Sequence, residues 1–217
     1  TGSGWACSDG NSFADLDPTT LAATAVQKAK DSRNPVAIEP GRYTTILEPT
    51  ATGNLVQLIA NATQARAADE GRSFFSRPGG GNKIGLKVVD ERVTLLTDPA
   101  DSPSLTGGYD NDGVPLEKVV WIENGVVKNL NYDRFWAQKQ GVQPTRAGGG
   151  GFGGARTLRM MGGNTSLAEM IRSTERGVLV TRFWYIRSVD PRTILFTGLT
   201  RDGTFLVENG KVTRSIK

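Results

Sequence analysis

The chain of 217 residues contains no histidine and a single cysteine, Cys7. Without imidazole, neither a Ser-His-Asp nor a Cys-His nucleophile, nor a zinc site built on histidine, can be assembled within it. One thiol excludes an internal disulfide and any CxxC cluster. Within Gly4-Trp5-Ala6-Cys7-Ser8 it is expected to behave as a small hydrophobe in a strand or loop. No apolar run approaches the roughly 18 residues of a membrane span, and Thr1-Gly2-Ser3-Gly4 carries no secretory pattern, so no membrane association is expected and a cytoplasmic location is the default. The formal charge of +4 comes from 26 basic and 22 acidic residues that are interspersed. With no dense basic block and no recognised nucleic-acid motif, direct nucleic-acid binding is not expected.

What is present points to one main domain with a core of ordinary size, since 37% of the residues are hydrophobic. Asp17 as an N-cap and Pro18 at the first helical position open a helix over 17–31, whose Leu21, Ala22, Ala25, Val26 and Ala29 recur at helical spacing and which Pro35 ends. A strand over 43–47 precedes the longest predicted helix, 48–73. On that helix Leu55, Leu58, Ile59, Ala62 and Ala65 share one side, and Asn54, Gln57, Asn61 and Gln64 form an amide stripe on the other. Carboxamides donate and accept hydrogen bonds, but they neither exchange protons near neutral pH nor hold a transition metal well. The stripe reads either as a solvated face or as a wall that touches peptide.

From residue 83 the period becomes extended, and strands are predicted over 83–89, 92–97, 118–123 and 126–130, then over 178–187, 193–200, 204–208 and 211–216. Asn124-Gly125 and Asn209-Gly210 sit between such runs and supply the two positive φ angles of a type I′ hairpin turn. Turns are predicted at Asp190-Pro191-Arg192 and Arg201-Asp202-Gly203. Ser166 with Glu169 forms a capping box for a short helix closed by Gly177. The fold class is therefore α+β: a largely antiparallel, hairpin-rich sheet of barrel or sandwich type, with one long helix and two shorter ones.

Several motifs fail on spacing. Asp110-Asn111-Asp112-Gly113 with Glu117 misses the calcium-loop pattern and reads as a polar hairpin turn. The glycine-rich Arg146–Gly154 stretch lacks the Gly-Lys-Ser/Thr ending of a phosphate cradle. Asp202-Gly203-Thr204 has the wrong order for an aspartic protease and no second copy. The sequons at Asn61 and Asn164 are read as chance. Asp69-Glu70-Gly71-Arg72 offers two carboxylates and an arginine as either a peptide clamp or a helix terminus with local ion pairs. Arg182-Phe183-Trp184-Tyr185-Ile186-Arg187 carries three adjacent aromatics in one strand, so either both its faces are covered or one is a binding surface, and burial as a central strand is the expectation.

The segments Val180–Tyr185, Val189–Thr193 and Thr197–Gly210, with Glu39-Pro40-Gly41-Arg42-Tyr43, Leu47-Glu48-Pro49, Glu123-Asn124-Gly125 and Ser173–Gly177 in the same order, resemble the C-terminal domain of the TldD/PmbA family, the "modulator of DNA gyrase" peptidases. The resemblance runs from about Asn34 to the end. It implies residues 1–34 as a connecting segment with a helix and residues 35–217 as a TldD/PmbA-like C-terminal domain, a fragment of a longer protein. It further implies a zinc peptidase assembly in which one subunit carries an HExxxH helix and a TldE- or PmbA-type paralogue does not, with unfolded peptides entering a cavity between subunits. In this chain Val56, Gln57 and Asn61 stand at the motif's histidine, glutamate and histidine positions, and the family's further cysteine ligand would lie beyond Lys217. The expectation is a silent subunit with no cofactor of its own, zinc belonging to an HExxxH-bearing partner. The partner is that paralogue or a second copy. Gln57, Asn61, Gln64, Glu70 and Arg72 form the peptide-facing or former metal-motif face. The alternative is a standalone binding scaffold.

Overall fold

The computed structural model describes residues 1–10, 12–100, 108–110, 113–147 and 158–217. In chain order its elements are α1 (Pro18–Asp31), β1 (Thr44–Leu47), α2 (Pro49–Asn61), α3 (Ala65–Asp69), β2 (Leu95–Thr97), β3 (Val119–Glu123), β4 (Val126–Val127), α4 (Arg134–Gln140), β5 (Leu158–Met160), α5 (Leu167–Arg172), β6 (Arg176–Asp190), β7 (Leu195–Glu208) and β8 (Lys211–Ser215). The fold is α+β with two four-stranded sheets, mostly antiparallel. Two compact units emerge: Thr1–Leu55, Gly163–Arg187 and Thr197–Lys217 in the first, Val56–Gly162 and Ser188–Phe196 in the second. Among the described residues no helix is long and apolar enough to cross a membrane.

In the first unit the sheet order is β1-β6-β7-β8, with β1 parallel to β6 from Thr44↔Gly177 to Leu47↔Val180. The two-residue period of a strand then sorts its side chains onto opposite faces. Val178, Val180 and Leu206 pack with Ala51 and Ile216, while Leu179, Phe205 and Val207 pack with Ile46. Each such buried aliphatic contributes roughly 1.5–3 kcal/mol relative to an exposed one. Gly177 does not close α5, which ends at Arg172 with Ser173 as its cap. It lies on β6 instead, where a Cβ would stand 2.7 Å from the Thr44 carbonyl. The local signals are realised: the Asp17 carboxylate accepts from Thr20 N at 3.0 Å, and Ser166 and Glu169 cap reciprocally. The Arg201-Asp202-Gly203 segment is not a turn between two strands. It is an irregularity inside the continuous β7, with φ of 58° at Asp202 and 127° at Gly203.

The second unit holds the sheet β4-β3-β2-β5. Its core gathers Phe75, Leu95, Trp121, Ile122, Val127, Leu130 and Trp136 around Val56, Ala65 and Ala68. Asn124 (φ 48°) and Gly125 (φ 79°) make the β3–β4 turn, as Asn209 (49°) and Gly210 (75°) do for β7–β8. Residues 83–89 are not a strand. Their backbone bonds go to the hairpin edge through Gly85 N to Val127 O (2.8 Å) and Val88 N to Gly125 O (2.9 Å), so an irregular segment is satisfied without a ladder. The predicted 48–73 helix is two helices. Asn131 N donates to Thr63 O (2.8 Å) and Ala65 N to Asn131 O (3.0 Å), so a tertiary backbone pairing replaces helical bonds between α2 and α3. The helix α4, unread from sequence, carries ordinary signals: the Asp133 side chain accepts from Trp136 N (2.7 Å), and Gly141 at φ 68° caps its end. Of the two loops dismissed as metal or phosphate sites, Asn111, Asp112 and residues 148–157 lie outside the described residues.

Gly125 tests how much the turn geometry matters. At φ 79°, a Cβ there would sit 2.4 Å from the Val89 carbonyl oxygen, whereas one on Gly53 in α2 meets nothing within 4 Å. Gly125→Ala is expected to lower stability in urea denaturation by about 2 kcal/mol or more. Gly53→Ala is expected to raise it by up to about 1 kcal/mol. Equal effects would refute the turn argument.

Candidate functional site

The amide stripe on α2 is divided among separate tasks. Asn54 Oδ1 accepts from the Phe183 N–H of β6 at 3.2 Å, in the first unit. In the second, Gln57 Nε2 donates to Asn61 Oδ1 at 3.0 Å, so these two amides satisfy each other one helical turn apart. Val56, which the family resemblance sets against the first histidine of HExxxH, is 8% exposed and belongs to the core. Leu55, expected on the buried side, is 37% exposed, because the core side of α2 is set by Ala51 and Val56. Gln64 lies past the end of α2, at the N-cap position of α3, where its side chain makes no cap bond and its backbone bridges Asn131.

Glu70 and Arg72 belong to another cluster. Arg66 Nε donates to Glu70 Oε1 (2.9 Å), and Arg72 reaches the other oxygen through both Nε and Nη2. The bond from Arg66, then that from Arg72, holds the Glu70 carboxyl below the ordinary glutamate range. Each oxygen already accepts from an arginine, so the carboxylate's charge is met within the cluster. Among the described residues no hydrogen bond links the cluster to Gln57 or Asn61.

Beside it stands a network that the sequence did not reveal. Asp69 accepts from Trp136 Nε1 and from Asn82 Nδ2, both at 2.7 Å, and Asn82 also donates to the Tyr132 hydroxyl at 3.0 Å. The Arg66 guanidinium lies 5.4 Å from the Trp136 ring centroid, which completes a rigid frame behind Glu70. The partners are separated by 13 to 67 positions, so no local motif announces them. Burial first, and then the charge of Asp69, raise the Tyr132 phenol above its ordinary value, with the bond from Asn82 acting the other way.

The aromatic strand is not buried as expected. Trp184 is 45% and Tyr185 63% exposed, and only Phe183 is half-buried. Arginines cover the rings instead. Arg182 lies over Trp5 (4.1 Å) and Trp184 (5.5 Å), Arg201 over Trp184 (4.2 Å), and Arg187 over Tyr185 (4.1 Å). Asp202 anchors the stack by an ion pair with the nearly buried Arg182. Among the described residues no strand pairs with β6 on its β1 side beyond Val180: Glu48 N takes the Val180 carbonyl, then Asn54 takes the Phe183 N–H. Cys7 is exposed, its sulfur 3.2 Å from Thr50 Oγ1.

A zinc ion does not fit the motif positions. Val56 offers no donor atom, and Gln57 and Asn61 offer neutral amides already engaged with each other. Among the described residues, no three His, Cys, Asp or Glu side chains converge as a metal-holding group.

Comparison with known proteins places this geometry. Residues 40–217 match the family model of the PmbA/TldA metallopeptidase C-terminal domain. The TldD homologue metalloprotease of Buchnera aphidicola is 30% identical over 189 residues, covering 82% of this chain and 37% of that protein. TldE from Thermococcus kodakarensis superposes with a TM-score of 0.80 at 28% identity, over 93% of this chain and 46% of that one. A protein described as a modulator of DNA gyrase from Bacteroides thetaiotaomicron gives 0.79 at 26%, over 94% and 44%. The chain thus spans less than half the length of these relatives.

The Tyr132 hydroxyl gives a pH test. Its proton is held more tightly in the folded state, so its contribution is complete below the unfolded phenol value, about 10, and is lost as pH rises through the folded one. Tyr132→Phe should therefore flatten the decline of urea midpoint above about pH 10. Superimposable alkaline limbs would contradict this.

Proposed function

Because the chain belongs to the PmbA/TldD metallopeptidase family, we propose that it is a non-catalytic subunit or domain of a TldD/TldE-type zinc peptidase complex, one that holds unfolded peptide rather than cutting it. The observation that carries this reading is the content of the HExxxH positions: a core valine and two amides bonded to each other. A water at that place would meet neither a Lewis acid to lower its pKa nor a carboxylate to take its proton. The similarity to an archaeal TldE supports the same assignment.

The peptide-holding role rests on β6. Beyond Val180 this strand has no strand neighbour on its β1 side among the described residues, and a free edge offers main-chain donors and acceptors to an extended peptide whatever its sequence. Trp184 and Tyr185 flank that edge with apolar surface, and Arg187 adds a guanidinium that lies over the Tyr185 ring. Binding of this kind suits unfolded chains, because it reads backbone rather than side chains. In the other unit, the Gln57 and Asn61 amides can donate and accept hydrogen bonds but offer no proton-transfer chemistry.

Co-expression with an HExxxH-bearing paralogue tests the proposal. The two chains are expected to co-purify, zinc to follow the partner's histidines, and cleavage of an unfolded peptide to need both chains. Failure to associate, together with unchanged partner activity, would sink the subunit role and favour a standalone scaffold. Stoichiometric zinc bound by this chain alone, lost in Gln57→Ala and Asn61→Ala, would sink its non-catalytic character.

A further inference from the structure

We propose that the cleft at the start of β1, lined by Gly41, Arg42, Tyr43, Thr44 and Arg176, binds a phosphate group. The cleft has a volume of about 270 Å³, enough for a small anion or a small phosphorylated molecule. Register builds it: Thr44 stands opposite Gly177 in the parallel pair, which brings the residues just before them, Tyr43 and Arg176, side by side. The Tyr43 hydroxyl donates to the Glu39 carbonyl at 2.6 Å and holds the ring, and the Arg176 guanidinium lies 5.8 Å from its centroid.

The charge is what distinguishes this place. Arg66, Arg92, Arg146, Arg182 and Arg192 each reach a carboxylate. Arg42 and Arg176 reach none among the described residues, and both line one cleft that contains no acid. Among the described residues, neither the N–H of Gly41 nor that of Arg42 donates to a backbone carbonyl. Two guanidiniums with unused forked donors and two unused amides form a donor-rich, uncompensated positive site. A phosphate monoester, carrying about −1.5 to −2 at neutral pH, matches two cations better than a single carboxylate does. The site lies where β1 begins, whereas Asn54 and the free β6 edge follow where β1 ends, so it is separate from the peptide edge proposed above.

The test is a titration of the 217-residue chain with inorganic phosphate, phenyl phosphate and acetate at constant ionic strength, following the backbone amides of Gly41, Arg42 and Thr44 by heteronuclear NMR. Saturable shifts confined to these amides are expected for both phosphates, with acetate weaker. Arg42→Gln and Arg176→Gln should each weaken the midpoint by about tenfold or more, with the remaining spectrum unchanged as proof of folding. Arg176→Lys, which keeps the charge and loses the fork, should fall between. A lower midpoint for phenyl phosphate identifies a phosphorylated small molecule as the source, and an equal midpoint identifies free phosphate. Linear, non-local shifts, an equal response to acetate, or unchanged midpoints in both glutamine variants would overturn the proposal.

Discussion

The parallel pairing of β1 with β6 is four residues long, and most of what distinguishes the first unit follows from it. Parallel strands are stable when covered on both faces, and here Val178 and Val180 enter one cluster while Leu179 enters another. Gly177 permits the contact, since any Cβ would press on the Thr44 carbonyl. At one end the register sets Arg176 against Tyr43 in a cleft whose lining includes no acid. At the other it ends with Glu48 N on the Val180 carbonyl, so α2 departs directly from the strand and Asn54 arrives at the Phe183 N–H.

That placement gives α2 its character. In a zinc peptidase such a helix must turn two imidazoles toward one point and hold them there. Here the same stretch is held by a core contact at Val56 and an amide pair at Gln57 and Asn61, which preserve a helix without reactive chemistry. The Asp69–Asn82–Tyr132–Trp136 network fixes the following segment from behind. It is a satisfied polar cluster whose cost of disruption lies in the donors and acceptors it would strand.

Features carried by adjacent residues were legible in the sequence. The Asp17–Pro18 helix start, the Ser166–Glu169 capping box and both Asn-Gly turns depend on backbone chemistry within a few positions, and each stands where it was read. Features set by distant partners were not. The interruption between α2 and α3 is imposed by Asn131, residues 83–89 are bonded to a hairpin forty positions away, and the bend at Asp202 is anchored by Arg182. α4 carried a cap and a terminal glycine but was overlooked, because its apolar residues are too few to show a period. For the candidate site, the missing imidazole could be read by inspection, but which amide would meet which group could not.

The aromatic strand shows why hydrophobicity alone misjudged the exposed edge. Three adjacent rings imply burial only if nothing else can cover them, and arginine can, through guanidinium faces 4.1 to 4.2 Å from ring centroids. A free strand edge beside exposed rings is both a docking place and an aggregation hazard, since another chain can pair with it indiscriminately. Two features restrain that hazard here. Asn54 occupies the Phe183 N–H just past the parallel pair, and Tyr185 at φ 54° breaks the regular strand that a long partner would need. An edge guarded in this way favours short, flexible segments over folded sheets. That is the selectivity the proposed holding of unfolded peptide would require, and it would arise from local charge and one unusual backbone angle rather than from Gln57 or Asn61.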